Sequence, residues 1–341
     1  MEFDSIEAMH KNIEKSGSRI AARRHRIYQI AKEKAMTGIM SVLARAVAFV
    51  MIIVTGYVLK KKGFFHADDF YLFSRVVVRI TLPCAIISNF SKISMDNSLL
   101  FMCVIGLATN LLMVAVGFLT NLHRTRQDRA FGILNLSGYN IGNFTLPFVQ
   151  SFLGPVGFAA TSLFDAGNAV MCTGVTYTMA SIAAGTGDRP SVKNVLKSLF
   201  SSLPFDAYLI MTLLAVCRIP LPELVTSYAG TVGNANAFLA LLMIGIGFEI
   251  RMEREKLAKM MEILILRYGM GVLMAVAAYL LLPFSLEVRQ AIALIALGPV
   301  SSVAPAFTGK VGGDVAMASA VNSLSIIISI IMITGALMIL L

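Results

Sequence analysis

The chain has 341 residues, of which 57% are hydrophobic and 14% charged, and its mean hydropathy is +0.77. A water-soluble domain of that composition would leave large apolar areas facing solvent, so the implied solvent is a lipid bilayer. The formal charge of +10 does not mark a nucleic-acid binder, because most basic residues fall in short breaks between apolar runs and no nucleic-acid motif is present.

Residues 1–36 are polar and helix-prone, carry eight Lys/Arg and contain no apolar run, so they read as neither signal peptide nor span. From Thr37 onward, long uncharged runs predict ten spans, at about 38–59, 70–90, 99–121, 130–152, 156–184, 203–218, 229–250, 263–283, 287–308 and 314–340. These runs are continuously apolar, unlike the alternating segments of a transmembrane barrel. The expected fold is therefore an all-α polytopic membrane protein. A polar break at 185–202, opening Gly-Thr-Gly-Asp-Arg-Pro-Ser, is expected to be a cytoplasmic linker between five-helix halves at 37–184 and 203–341. Cys84, Cys103, Cys172 and Cys217 lie in or at the end of apolar segments and read as small hydrophobic side chains.

Charge sorts the loops. The odd-numbered loops carry fourteen basic residues, among them Lys60, Lys61, Lys62, Arg124, Arg126, Arg129, Lys256, Lys259 and Lys310; the even ones carry Lys92, Arg218 and Arg289. The positive-inside rule then puts the odd loops in the cytoplasm and both termini outside. The basic tail opposes this orientation, and a native start at Met36 or Met40 would reconcile the two.

Five spans per half invert the second half relative to the first, the usual construction of secondary transporters. The fourth span of each half is interrupted. Ser137 to Pro147 includes Gly138, Asn140, Gly142, Asn143 and Thr145, and the ninth span has Gly298, Pro299, Ser301, Ser302 and Pro305. Proline removes an amide donor and clashes with the preceding turn, so both segments are expected to unwind at the prolines and cross near the membrane centre. Half-helix N-termini facing a shared cavity would receive a carboxylate, with Asn140, Asn143, Thr145, Ser301 and Ser302 as neutral hydrogen-bonding partners. Asp165 is the outstanding intramembrane acid and a candidate for proton or sodium coupling. Arg79 is a candidate either to attract the anion or to pair with Asp165. Arg45, Arg75 and Arg267 are expected to snorkel towards headgroups, and Asp206 to sit in a first helical turn.

Several stretches resemble the auxin efflux carrier family: Gly56 to Gly63, Phe73-Ser74-Arg75 with Leu82-Pro83 and Ser88-Asn89-Phe90, Asn140 to Pro147, Asp165-Ala166-Gly167-Asn168, and Pro299 to Phe307 with Gly312-Gly313. The resemblance runs from Thr37 to Leu341. It implies ten spans with broken crossover helices 4 and 9, termini outside, and a permease or efflux carrier of small mono- or dicarboxylates in the cell's inner (plasma) membrane. On this reading Asn140, Asn143, Thr145, Pro147, Pro299, Ser301, Ser302 and Pro305 form the substrate site, Asp165, Asn168 and Arg79 serve ion coupling, and a homodimer is an open expectation. The chain departs from plant members, which carry Asn-Pro-Asn at each crossover. A cation/proton antiporter or sodium-coupled symporter of the same fold is the alternative. An enzyme is disfavoured because His10, His25, His66 and His123 all lie in the tail or polar loops, and neither a cofactor nor a metal is expected.

Overall fold

A computed structural model describes residues 36–94, 96–186, 191–248 and 256–340, and the polar tail apart from Met36 lies outside them. Among the described residues all regular structure is helical, apart from an isolated antiparallel bridge between Tyr139 and Val300.

α1 (Met36–Lys61) is an unbroken apolar run that ends among lysines. α2 (Asp69–Phe90) begins with an acid in its first turn and contains a π-helical turn at Val77–Thr81, two residues before Pro83. The wider turn gives the proline ring room without ending the helix. α3 (Asn97–Thr120) is capped by Asp96, which accepts from the Ser98 amide at 3.3 Å, and α4 (Arg126–Leu136) by Thr125, which accepts from the Asp128 amide at 3.1 Å. α4 stops at Leu136; a π turn at Ile141–Thr145 then leads into α5 (Leu146–Phe152).

α6 spans 155–184, starting at Pro155, passing through a π turn at Met171–Val175 and stopping at the left-handed Gly185. α7 (Val192–Leu199) and α8 (Leu203–Val216) meet at 78°. Next come α9 (Glu223–Gly247), α10 (Leu257–Leu281), α11 (Leu286–Ala296), α12 (Ala304–Lys310) and α13 (Val315–Leu340).

Six of these helices (α1, α2, α3, α9, α10 and α13) are long and apolar enough to cross a membrane, and the bent pair α7 and α8 would make a seventh. The expected linker contains a helix. Ser191 caps α7 by accepting from the Asn194 amide at 3.2 Å, and Val192, Val195, Leu196 and Leu199 give it an apolar stripe. α9 begins six residues earlier than expected because Pro222 pre-sets its first turn. The cysteines are free thiols, buried at Cys172 and exposed at Cys217.

The helices sort into two groups. α3, α4, α6, α10, α11, α12 and α13 pack on one another, and α2, α8 and α9 form the second group. α1 joins the second through Gly56, where an added Cβ would run into the Leu242 carbonyl oxygen and come within 3.2 Å of the Gly245 Cα. Tyr208 to Asp165 is a direct polar link across the seam, and α5, which packs on both groups, is tied to the second by Gln150 to the Gly233 carbonyl and by Arg45 to the Ser151 carbonyl.

At the basic-loop end, ion pairs tie α4, α10 and the turn before α13 together. Arg124 meets Glu262 at 2.9 Å, Lys256 meets Asp314 at 2.7 Å, and Lys259 meets Asp128. The Lys256 hydrogen bond and the Met317 amide hold the Asp314 carboxyl below its ordinary range. Burial opposes ionisation of Asp128, but hydrogen bonds from Lys259 and Thr125 outweigh it and hold its carboxyl below its ordinary range as well. Depressed carboxyls contribute stability above their unfolded value, about 3.9, and lose it as pH falls through the folded one. Each partly exposed pair is worth at most about 1 kcal/mol. Thermal unfolding in detergent should therefore lose a small increment between pH 5 and pH 3 (about the carboxylate range), and D128N/D314N should lack that increment already at pH 7. An unchanged acid limb in the double variant would contradict this assignment.

Candidate functional site

The interruption after α4 consists of Ser137 to Asn140. Gly138 adopts φ 77°, a left-handed conformation that reverses the chain out of the helix. The freed backbone groups find side-chain partners. The Gly138 amide donates to Asn110 Oδ1 at 2.8 Å. Asn168 treats Tyr139 as a neighbouring strand would: its Oδ1 accepts from the Tyr139 amide at 3.0 Å and its Nδ2 donates to the Tyr139 carbonyl at 3.0 Å. Asn110 and Asn168 themselves meet at 3.3 Å. Two glycines permit this. An added Cβ at Gly106 of α3 would strike the Phe164 carbonyl, and one at Gly167 of α6 the Cys103 carbonyl, so α3 and α6 approach closely at the level of the two asparagines.

The second interruption runs from Leu297 to Val303 and is held from the other side. Asn322 of α13 donates to the carbonyls of Val300 and Ser301 at 3.0 and 3.2 Å, and Ser325 Oγ accepts from the Val300 amide at 3.1 Å. Ser329 donates to the Leu297 carbonyl at 2.8 Å. The two interruptions meet directly, with the Asn140 amide donating to the Pro299 carbonyl at 3.0 Å beside the Tyr139 and Val300 bridge.

Arg267 locks the junction. Its side chain, 2% exposed, donates to the carbonyls of Leu136 at 2.6 Å, Gly298 at 3.0 Å and Pro299 at 2.9 Å, and its guanidinium lies 5.0 Å from the centre of the Tyr139 ring. It has no acidic partner among the described residues. Carbonyls at the C-terminal ends of α4 and α11 and the ring face supply the compensating negative potential. The snorkelling expected of Arg267 is thus overturned: it lies ten residues inside α10 and is aimed at the core.

The expected site residues divide. Asn140 and Ser301 are buried at the junction, and Thr145 is fully buried with its amide 3.2 Å from the Asn140 carbonyl. Asn143 places a buried side-chain oxygen where it has no hydrogen-bond partner. Ser302 is exposed. Pro299 lies inside the second break, whereas Pro147 and Pro305 stand at the second positions of α5 and α12. Those two prolines begin helices and do not cause the unwinding, which comes at Gly138 and at Leu297 to Val303. α12 has only seven residues, so its dipole is weak, and the permanent positive charge at the junction belongs to Arg267.

Asp165 accepts from Asn168 Nδ2 at 3.0 Å and from the Tyr208 hydroxyl at 3.1 Å. Its expected pairing with Arg79 is not found: Arg79 is exposed on α2 and shares an outer groove with Pro83 and Asp206. Asp206 lies in the first turn of α8, and Arg45 reaches the Ser151 carbonyl at 2.8 Å.

Membrane-length helices around two broken ones, with every break supported by protein, are the construction of a multi-pass membrane transport protein. Comparison with known proteins agrees. Residues 41–337 match the family described as Membrane transport protein, and the chain belongs to that family, the auxin efflux carrier group its motifs resemble. It is also 24% identical over 254 residues to an uncharacterised transporter of Methanothermobacter thermautotrophicus, covering 71% of this chain and 81% of that protein. The chain is accordingly an integral, multi-pass membrane protein of a transporter family.

Replacing Arg267 by Met strands three buried carbonyls, each costing about 1–3 kcal/mol. We expect R267M to lower the unfolding temperature sharply and R267K, which keeps the charge without the fork, to fall between it and wild type. Equal stability of all three would contradict the assigned lock.

Proposed function

We propose that this chain is a secondary carrier of small organic acid anions, working by alternating access through ten spans arranged as two inverted halves, 37–184 and 203–341. The observation that carries this reading is the junction itself: two unwound segments in backbone contact in the protein core, with a buried guanidinium that has no acid partner among the described residues. Unwound backbone at membrane depth is tolerated where it is buried or lines a cavity, and such junctions suit substrates that need geometry and charge together.

The likeness of the two supports favours the inverted halves. Asn168, in the fifth expected span, holds Tyr139 through its amide and carbonyl, and Asn322 with Ser325, in the tenth, hold Val300 in the same manner. In this reading the carboxylate of the substrate docks beside Asn140, Asn143, Thr145 and Ser301. Rotating the Asn143 amide would turn its unpartnered oxygen away and offer NH₂ to the anion. Pro147, Pro299 and Pro305 shape the backbone, and the exposed Ser302 has the weakest claim to contact.

Asp165 suits ion coupling because its carboxylate ties the two helix groups together through Tyr208. A proton or sodium ion there would compete with that link and alter the seam along which the groups move. Asn168 transmits the change, since the same side chain holds Asp165 and Tyr139. Arg79 is left without a role in coupling. The basic loops face the cytoplasm of the inner membrane with both termini outside, and the ion pairs at that end would form the closed cytoplasmic gate.

Reconstitution into proteoliposomes with a panel of labelled mono- and dicarboxylates tests the proposal. We expect N143A to reduce uptake at least about tenfold through loss of a hydrogen bond to a charged group, and D165N to carry acid without response to an imposed proton or sodium gradient. Sodium/proton exchange with no acid movement would replace this reading with that of a cation antiporter.

A further inference from the structure

A polar cavity lies away from the junction. It encloses about 1020 Å³ between the end of α2, the end of α8 and the start of α9. Lys92, Arg218, Ser88, Ser94 and Ser227 line it, together with one acid, Glu223. Its charge is notable against the poverty of the face it occupies. The even-numbered loops hold only Lys92, Arg218 and Arg289 as basic residues. Two of the three converge on this cavity, and the third is spent on the C-terminal end of the preceding helix α10, where Arg289 donates to the Tyr279 carbonyl at 2.9 Å.

Neither the Lys92 nor the Arg218 side chain has a hydrogen bond or ion pair among the described residues, although Glu223 shares the same wall. Other hydroxyls nearby are taken: Ser91 donates to the Ser88 carbonyl and Thr226 to the Glu223 carbonyl. Those of Ser88, Ser94 and Ser227 remain available. Arg218 also sits at φ 55°, the only positive φ among the described non-glycine residues. An L-residue is strained there, and the turn retains that strain while presenting this side chain.

The cavity has a direction. Met211 forms part of its wall and lies three residues along α8 from Tyr208, hence on the same face. Tyr208 carries the hydrogen bond to Asp165. The cavity thus stands about one helical turn along α8 from the seam between the two helix groups.

We propose that this cavity is a docking site for a small dicarboxylate on the face opposite the basic loops, with Lys92 and Arg218 as its cationic contacts and Ser88, Ser94 and Ser227 as hydroxyl donors. The role as a vestibule for transported acid rests on the carrier reading; the binding itself does not. Two unpaired cations in a walled space attract dianions over monoanions, and free hydroxyls fix the orientation of the bound acid. The phosphate of an anionic lipid shares this chemistry.

The test uses the full chain purified in a neutral detergent, with succinate as probe and thermal unfolding as readout, since a ligand of the folded form raises apparent stability. Wild type and N143A should both be stabilised by succinate, and K92Q/R218Q, which alters two side chains at the cavity mouth, should need at least about tenfold more. Equal stabilisation of the double variant, or none of wild type, would overturn the proposal. So would stabilisation by a short-chain phosphatidylglycerol through the same two residues with succinate inert, which would assign the cavity to lipid. Uptake assays separate the two readings: succinate binding that depends on Lys92 and Arg218, with no acid transported by wild type, upholds the cavity and defeats the carrier.

Discussion

Backbone amides and carbonyls released by a broken helix must find partners, and in hydrocarbon water cannot supply them. Each unpaired group costs several kcal/mol there, so the two interruptions dictate much of what surrounds them. Asn110 and Asn168 answer for the first, Asn322, Ser325 and Ser329 for the second, and Arg267 for both. These side chains come from four helices, α3, α6, α10 and α13, and the packing follows from the need to bring them together. The close approach of α3 and α6 at Gly106 and Gly167 is the clearest instance, because any side chain there would part Asn110 from Asn168.

The same arrangement carries the chemistry. A supported break is rigid enough to hold a recognition geometry while leaving Asn143 with an unsatisfied oxygen. Arg267 adds a positive charge that no acid among the described residues neutralises, which biases the junction towards anions. Asn168 connects this centre to Asp165, and Tyr208 connects Asp165 to the second helix group. One chain of hydrogen bonds thus runs from the unwound backbone to the seam between the groups. A proton or cation at Asp165 acts on that chain at the point where both ends are felt.

Much of the fold was legible in the sequence because uncharged runs and proline-glycine interruptions are local signals. Membrane-length helices and two broken segments follow from reading residues in order. Identification of the family rested on short motifs such as Asp165 to Asn168, and the match over residues 41–337 bears it out. What escaped depends on direction. Arg267 near the start of a span looks like any headgroup-seeking arginine until the helix is rotated into place, and Asn110, Tyr208, Asn322 and Ser325 are unremarkable polar residues until their partners are known. Pro147 and Pro305 misled for a related reason, since proline both breaks helices and begins them, and only the observed breaks, at the left-handed Gly138 and at Leu297 to Val303, decide which. The helix in the expected linker was hidden because its stripe of Val192, Val195, Leu196 and Leu199 is too short to register as a span.

The most direct test of the account concerns the meeting of the two breaks. Tyr139 and Val300 face each other across an antiparallel bridge flanked by the Asn140 to Pro299 hydrogen bond, a non-hydrogen-bonded pair whose Cα atoms should lie about 4.5 Å apart, within reach of a disulfide. With the four native cysteines replaced, cysteines at 139 and 300 should crosslink on mild oxidation in native membranes, at least as readily as a control pair at 110 and 168. A control pair that crosslinks while 139 and 300 do not would mean that the interrupted segments do not meet, and the proposed transport site would have no structural basis.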